Sequence, residues 1–290
     1  MFKTVGTELW AFDAEWVPDI ASGRRVYGLP PDASDESVLK TMWAEGGASA
    51  DDPHPYLKTV VCRVVSIAAV VRKTASDGSV SLALHSLPSR EDGLGREREI
   101  LGRFLEGIGR AKPQLVGFNS ISSDLTILLQ RAMVHRLHLP DFCRRPQKPW
   151  EGIDYFSRHS EGHVDLKDEF SGWGRGTPSL HEFATCCGIP GKTLADGSSV
   201  VDLWLAGDIR RIVDYNECDA LTTYLLWLRA ALLAGLVSPA QHEAEERLLE
   251  AMLEERATAG DTHLAGYLDA WRQLRADGDP VTTSDPVRTR

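Results

Sequence analysis

The chain has 290 residues and a formal net charge of −10, with 42% hydrophobic and 26% charged residues. That balance excludes global disorder and leaves room for one large folded unit with a sizeable core. An acidic chain is also a poor fit to a protein that grips duplex nucleic acid through a broad basic surface, though not to an enzyme holding a few nucleotides beside metal ions.

Residues 8–17, ELWAFDAEWV, read as a buried strand that ends at Pro18. Residues 19–58 follow as a long Gly-, Pro-, Ser- and Asp-rich loop insertion around one short helix near 37–43. Strands are expected over 60–72 and 79–86, with a turn at Asp77–Gly78. Helical spacing covers 96–108, a short strand 114–118, and another helix 122–137. Residues 138–162 resist assignment, 164–166 suggest a brief strand, and 179–187 a helix capped by Ser179 and stopped by Gly188. A short helix is expected over 200–206 and the longest over 209–233, then an amphipathic pair at 240–256 and 264–274. The polar tail from 276 is expected to fray.

The longest apolar run, 60–71, is broken by Arg63 and is far too short to span a membrane. The opening MFKTVGTELW has no apolar signal-peptide core, so a cytoplasmic address without membrane contact is expected. Five scattered cysteines without a CxxC argue against a disulfide framework or a structural zinc site.

Three groups of residues carry chemistry. Asp13 and Glu15 form the only Asp-x-Glu of the chain. On a strand they share a face, and two such charges on an apolar strand call for a cation or a solvated strand end. Asn119 and Asp124 follow the strand LVGFN, where Asp124 is either a site acid or a first-turn acid favoured by the helix dipole. Tyr215 and Asp219, four apart on the long helix, lie on one face, and Asp219 sits at the margin of the apolar stretch LTTYLLWL.

Asp-x-Glu on the first strand, Asn-x4-Asp at a strand–helix junction and Tyr-x3-Asp on a late helix, in this order, resemble the DEDD exonucleases. The last motif is similar to that of their tyrosine subgroup, DEDDy. The likeness is nearest to stand-alone predicted 3′–5′ exonucleases related to the proofreading domain of family B DNA polymerases. It rests on FDAEWVPD, LVGFNSISSDLTIL, GHVDL, SLHEFATCCGIPGK and DYNECDALTTYLLWLR, roughly residues 8–235. Two positions depart from the pattern. Ser123 stands where an aromatic residue usually precedes the acid, and Trp16 stands where a small polar residue usually follows Glu15.

The resemblance implies an α/β, RNase H-like fold, a mixed five-stranded sheet flanked by helices, over residues 1–235, with extra C-terminal helices over 236–275 and a flexible tail at 276–290. It implies two Mg²⁺ or Mn²⁺ ions, shared by Asp13, completed by Glu15 and Asp219, and supported at the second position by Asp124. Tyr215 would orient the water that attacks the terminal phosphodiester, releasing a nucleoside 5′-monophosphate from the 3′ end of a single strand, DNA rather than RNA. Asn119, Trp16 and Lys192 would be secondary substrate contacts. The C-terminal helices are a candidate surface for a protein partner or self-association.

Competing readings are an RNase H-like adaptor without activity and a phosphoesterase acting on small nucleotides. His163 and Asp168 offer the His-x4-Asp spacing of the histidine subgroup, but in a short segment rather than on a late helix. CGIPGKT has Cys186 where a P-loop needs glycine and follows a helix, so it reads as a helix stop. Asp165 and Asp202 read as structural acids and His181 as a helix-surface residue.

Overall fold

The computed structural model describes residues 2–89, 96–148, 150–157, 160–171, 176–191 and 199–277. Its centre is β1 (Glu8–Pro18), flanked on one side by β2 (Cys62–Thr74) and β3 (Val80–Leu87), both in antiparallel pairings. On the other side β4 (Gln114–Gly117) and β5 (His163–Asp165) run parallel, giving the order β3-β2-β1-β4-β5. This mixed five-stranded sheet with helices on its faces is the RNase H-like architecture that the resemblance implies.

Side-chain alternation along β1 divides the interior. Trp10, Phe12 and Ala14 pack with α3 (Glu97–Ala111) and α4 (Asp124–Val134), while Leu9 and Ala11 pack with α9 (Ile209–Leu233). The same period of two sends Asp13 and Glu15 to the α9 side. α9 begins at the cap Asp208, whose carboxylate accepts from the Arg211 N–H, and most of its length is buried, with Tyr224 and Trp227 fully enclosed.

The segment expected as a loop insertion around one helix holds two, α1 (Ile20–Val26) and α2 (Asp35–Glu45), followed by a 3-10 turn at Thr59–Val61. Val38 and Met42 of α2 are fully buried, and a Cβ on Gly23 would stand only 2.3 Å from the Met42 sulfur, so this glycine permits the close approach of α1 to α2. α1 escapes sequence reading because IASGRRV is short and lacks an apolar stripe. Arg131, buried on α4, ties the segment down through Asp19 (2.8 Å), Ser22 (3.1 Å) and Glu97 (2.7 Å).

Short helices α5 (Pro140–Cys143), α6 (Leu166–Phe170), α7 (Leu180–Cys186) and α8 (Val200–Leu205) fill the connections. Ser179 caps α7 through a reciprocal box with Glu182, and Gly188, at φ +70°, ends it, as its sequence suggests. The last two helices, α10 (Pro239–Thr258) and α11 (Thr262–Ala276), lie against α9, α10 also against β3. Arg72 of β2 donates twice to Glu245 of α10 (2.8 and 2.7 Å), and the Tyr224 hydroxyl donates to the same carboxylate at 2.8 Å. Removing one partner of a buried pair of this kind costs about 3–5 kcal/mol. Such contacts bridge the boundary expected near residue 235. The polar tail beyond 277 lies outside the described residues.

Candidate active site

Carboxylate oxygens of Asp13, Glu15 and Asp219 lie within 4.8 Å of one another. Two come from alternate positions of β1 and the third from α9, which packs across β1 and β2. The β1–β2 register shifts between Glu15 and Trp16: Ser66 pairs with Glu15 and Val64 with Trp16, leaving Val65 as the extra residue. Such bulges bend a strand locally and re-aim its side chains. Asp13 is further fixed by Asn216, whose amide Nδ2 donates to Asp13 Oδ2 at 2.6 Å, while the Ser66 hydroxyl donates to Asn216 Oδ1 at 2.9 Å. Both ends of that buried amide are therefore committed.

Asp124 reaches the same end of the sheet from the loop after β4. Asn119 there has φ +63°, in the left-handed region that asparagine tolerates better than most residues. The loop is drawn together by Asp165 at the end of β5, which accepts from the backbone N–H groups of Asn119 (2.8 Å) and Ile121 (2.9 Å) and also caps α6. Asp124 Oδ1 accepts from the Ala14 N–H at 3.0 Å, between the two β1 acids, and the Ser123 hydroxyl is shared between Asp124 Oδ2 (2.9 Å) and the Asn119 carbonyl (2.8 Å). Ser123, where an aromatic residue is usual, thus holds the acid directly.

The acids are crowded. Burial first, then the charges of Asp124, Glu15 and Asp219, holds the Asp13 carboxyl well above the ordinary carboxylate range, while the Asn216 hydrogen bond pulls the other way. Glu15 is raised for the same reasons, burial and then the charges of Asp219 and Asp124. Burial pushes Asp124 up to about 6 against the pull of its hydrogen bonds from Ser123 and Ala14. Crowded carboxyl groups that resist ionising together form a donor set that fits a hard divalent cation, whose charge would offset their repulsion. Asp13, Glu15 and Asp219 are the residues that would hold it.

Tyr215 stands one turn before Asp219, half-buried, and its hydroxyl hydrogen-bonds that carboxylate. Burial, then the charges of Asp219, Glu15 and Asp13, pushes the phenol far above its ordinary value, so at neutral pH it is a donor rather than a base. The ring also borders a cavity of about 750 Å³ between α7, α9 and α11, lined among others by His181, Arg211 and Tyr267.

The remaining expected contacts are more dispersed. Trp16 is half-buried on the opposite face of β1 from the acids, edge-on to Tyr56. The Asn119 side chain is turned to Ser123 (3.3 Å), and Lys192 lies outside the described residues. His163 is buried with Nε2 2.9 Å from the Ser120 hydroxyl and its ring beside Phe12, on the face of β1 away from Asp13. Burial lowers it to about 4, so it is neutral in ordinary buffers. Asp202 caps α8 with Ser199, and His181 is exposed on α7. Sequence reading misses Asn216 and Ser66. Asn216 is detectable in principle, since it lies three residues before Asp219 and so shares its helix face.

Residues 54–271, about three quarters of the chain, match the model of a family described as predicted 3′–5′ exonucleases related to the exonuclease domain of PolB. The match contains Asp124, Tyr215 and Asp219 and runs through α10 into α11, beyond the residues on which the sequence resemblance rests, while β1 with Asp13 and Glu15 precedes it. No curated protein matches the chain. Among the described residues, no helix is long and apolar enough to cross a membrane.

Proposed function

The chain belongs to the family of predicted 3′–5′ exonucleases related to the PolB exonuclease domain, and from that premise we propose a metal-dependent enzyme that shortens single strands, DNA rather than RNA, from the 3′ end. The observation that carries the reading is the convergence of Asp13, Glu15 and Asp219 within 4.8 Å, with Asp124 at their side and Tyr215 above Asp219. Asp13, Glu15 and Asp219 would hold Mg²⁺ or Mn²⁺, with Asp124 supporting a second ion. Bound there, two ions supply charge neutralisation at the scissile phosphate and ease the deprotonation of water.

The chain's own groups do the positioning. Asn216 and Ser66 keep the Asp13 carboxylate in one orientation, so that it need not reorganise when an anionic substrate arrives. Asp165 keeps the Asn119–Ser123 loop in the shape that presents Asp124. Tyr215, its single proton directed at Asp219, would orient the attacking water by accepting a hydrogen bond at its hydroxyl oxygen. Trp16, Asn119 and Lys192 remain candidate substrate contacts.

The test is direct. A 5′-labelled single strand incubated with the protein and Mg²⁺ or Mn²⁺ should give a ladder receding from the 3′ end, with nucleoside 5′-monophosphates released and no cutting in excess EDTA. Internal fragments, release from the 5′ end, or an uncut strand in both metals would overturn the reading.

A further inference from the structure

Tyr56 is one of the most exposed large hydrophobic side chains among the described residues, at 72%. Its neighbours are anchored. The His54 ring stacks on Trp43 with centroids 4.3 Å apart, Leu57 is buried, and Thr59 of the following turn donates to Gln130 of α4 at 2.8 Å. The aromatic ring is thus presented to solvent on a braced stretch of chain. It is linked to the acid-bearing strand at one remove: its centroid is 6.2 Å from that of Trp16, edge-on at 79°, and Trp16 follows Glu15 on β1 with its ring on the other face. Partial burial of the hydroxyl, then the negative fields of Cys62, Asp124 and Glu15, lifts the Tyr56 phenol to about 12, against a hydrogen bond with Trp16.

An exposed aromatic surface within the electrostatic reach of Asp124 and Glu15 suits a ligand with an uncharged aromatic part and an anionic part that bound cations can neutralise. Nucleotide units have that form, and base–aromatic stacking tolerates every base because each has a π-face. We propose that Tyr56 stacks on a nucleobase at the 3′ end of the substrate, with Trp16 as its edge-on support; the proposal rests on the exonuclease reading above. Tyr56 is then a positioning residue for the reaction, setting how the last nucleotide is held rather than the chemistry of cleavage.

The experiment compares wild type, Tyr56→Phe and Tyr56→Ala on an oligonucleotide and on the same oligonucleotide ending in an abasic 3′ unit, which has no aromatic ring to stack. In parallel, an oligonucleotide with 2-aminopurine at its 3′ terminus is titrated with the same Tyr56 forms in an Asp13→Asn background, to prevent turnover. Tyr56→Ala should lose about 5- to 150-fold in kcat/KM on the oligonucleotide relative to its change on the abasic-ended strand, mostly through KM. It should also lose the quenching of 2-aminopurine on binding, and Tyr56→Phe should restore both.

Unchanged KM and quenching in Tyr56→Ala would overturn the proposal. Equal losses on the two substrates, or a Tyr56→Phe protein as impaired as Tyr56→Ala, would do so as well, since either points to a structural or hydroxyl role. A wild type that shortens oligonucleotides in the same assay leaves the exonuclease reading standing in each of those cases. An inactive wild type removes both.

Discussion

Asp124→Asn should make the metal-free protein more stable while damaging its activity. Asp124 is 4% exposed, and its carboxyl is pushed from an ordinary value of 3.8 to about 6, chiefly by burial. Because the folded value lies above the unfolded one, the folded chain holds this proton longer than the unfolded chain does. Stability is therefore lost as pH rises from about 4 through about 6, the reverse of an ion-paired aspartate. That interval corresponds to roughly 3 kcal/mol at neutral pH. Asparagine removes the charge and keeps the contacts: its oxygen can accept from the Ala14 N–H, and its amide can donate to the Ser123 hydroxyl, which retains the Asn119 carbonyl. At roughly 2 °C per kcal/mol for a chain of this size, the variant should melt about 6 °C above wild type in EDTA at pH 7.5. The gap should narrow toward pH 4. Differential scanning calorimetry at the two pH values measures it, and a folded Asp124→Asn protein no more stable than wild type at pH 7.5 would refute the reasoning.

Tyr215→Phe should lower kcat by about 10²–10⁴-fold with little change in metal affinity, since the ring stays and only the hydroxyl is lost; steady-state kinetics beside Mn²⁺ titration would expose a structural effect as parallel losses in both. Mn²⁺ at about a hundred times its Kd should stabilise wild type by roughly 2.7 kcal/mol at neutral pH, read as a higher Tm, and an identical Tm in EDTA would argue against a cation at the carboxylates. Single strands and frayed 3′ ends should be degraded much faster than blunt duplex ends, because each base step opened costs a few kcal/mol and a net charge of −10 offers little attraction to duplex flanks. A steep salt dependence of KM, or equal rates on the two substrates, would contradict that.

Much of the frame is legible because it is periodic. Alternation along residues 8–17 identifies β1 and puts Asp13 beside Glu15, and the long apolar pattern gives α9 its observed bounds, Ile209–Leu233. α1 and α6 are too short for a pattern to rise above their neighbours, and α6 owes its start to Asp165, an acid whose larger task, gathering the Asn119 loop, depends on strand pairing far along the chain. Asn216 has a local signature but gains its meaning only from Ser66, 150 residues away, and from Asp13, 203 residues away. Tyr56 has none, since its place beside Trp16 follows from how the chain winds between α2 and β2. The segment 19–58 was legible as unusual in length and composition, yet its buried Val38 and Met42 depend on Gly23 and Arg131 being in place.

The central claim is that the carboxylates of β1 and α9 form the cleavage site, and the most direct measurement sets wild type, Asp13→Asn and Asp219→Asn side by side on one 5′-labelled single strand in Mn²⁺. Wild type should shorten it stepwise from the 3′ end, and both variants, shown to be folded by circular dichroism and thermal melting, should leave it intact, because each lacks a carboxylate of the close trio. Stepwise 3′ shortening by a folded Asp13→Asn or Asp219→Asn protein at the wild-type rate would place the chemistry elsewhere.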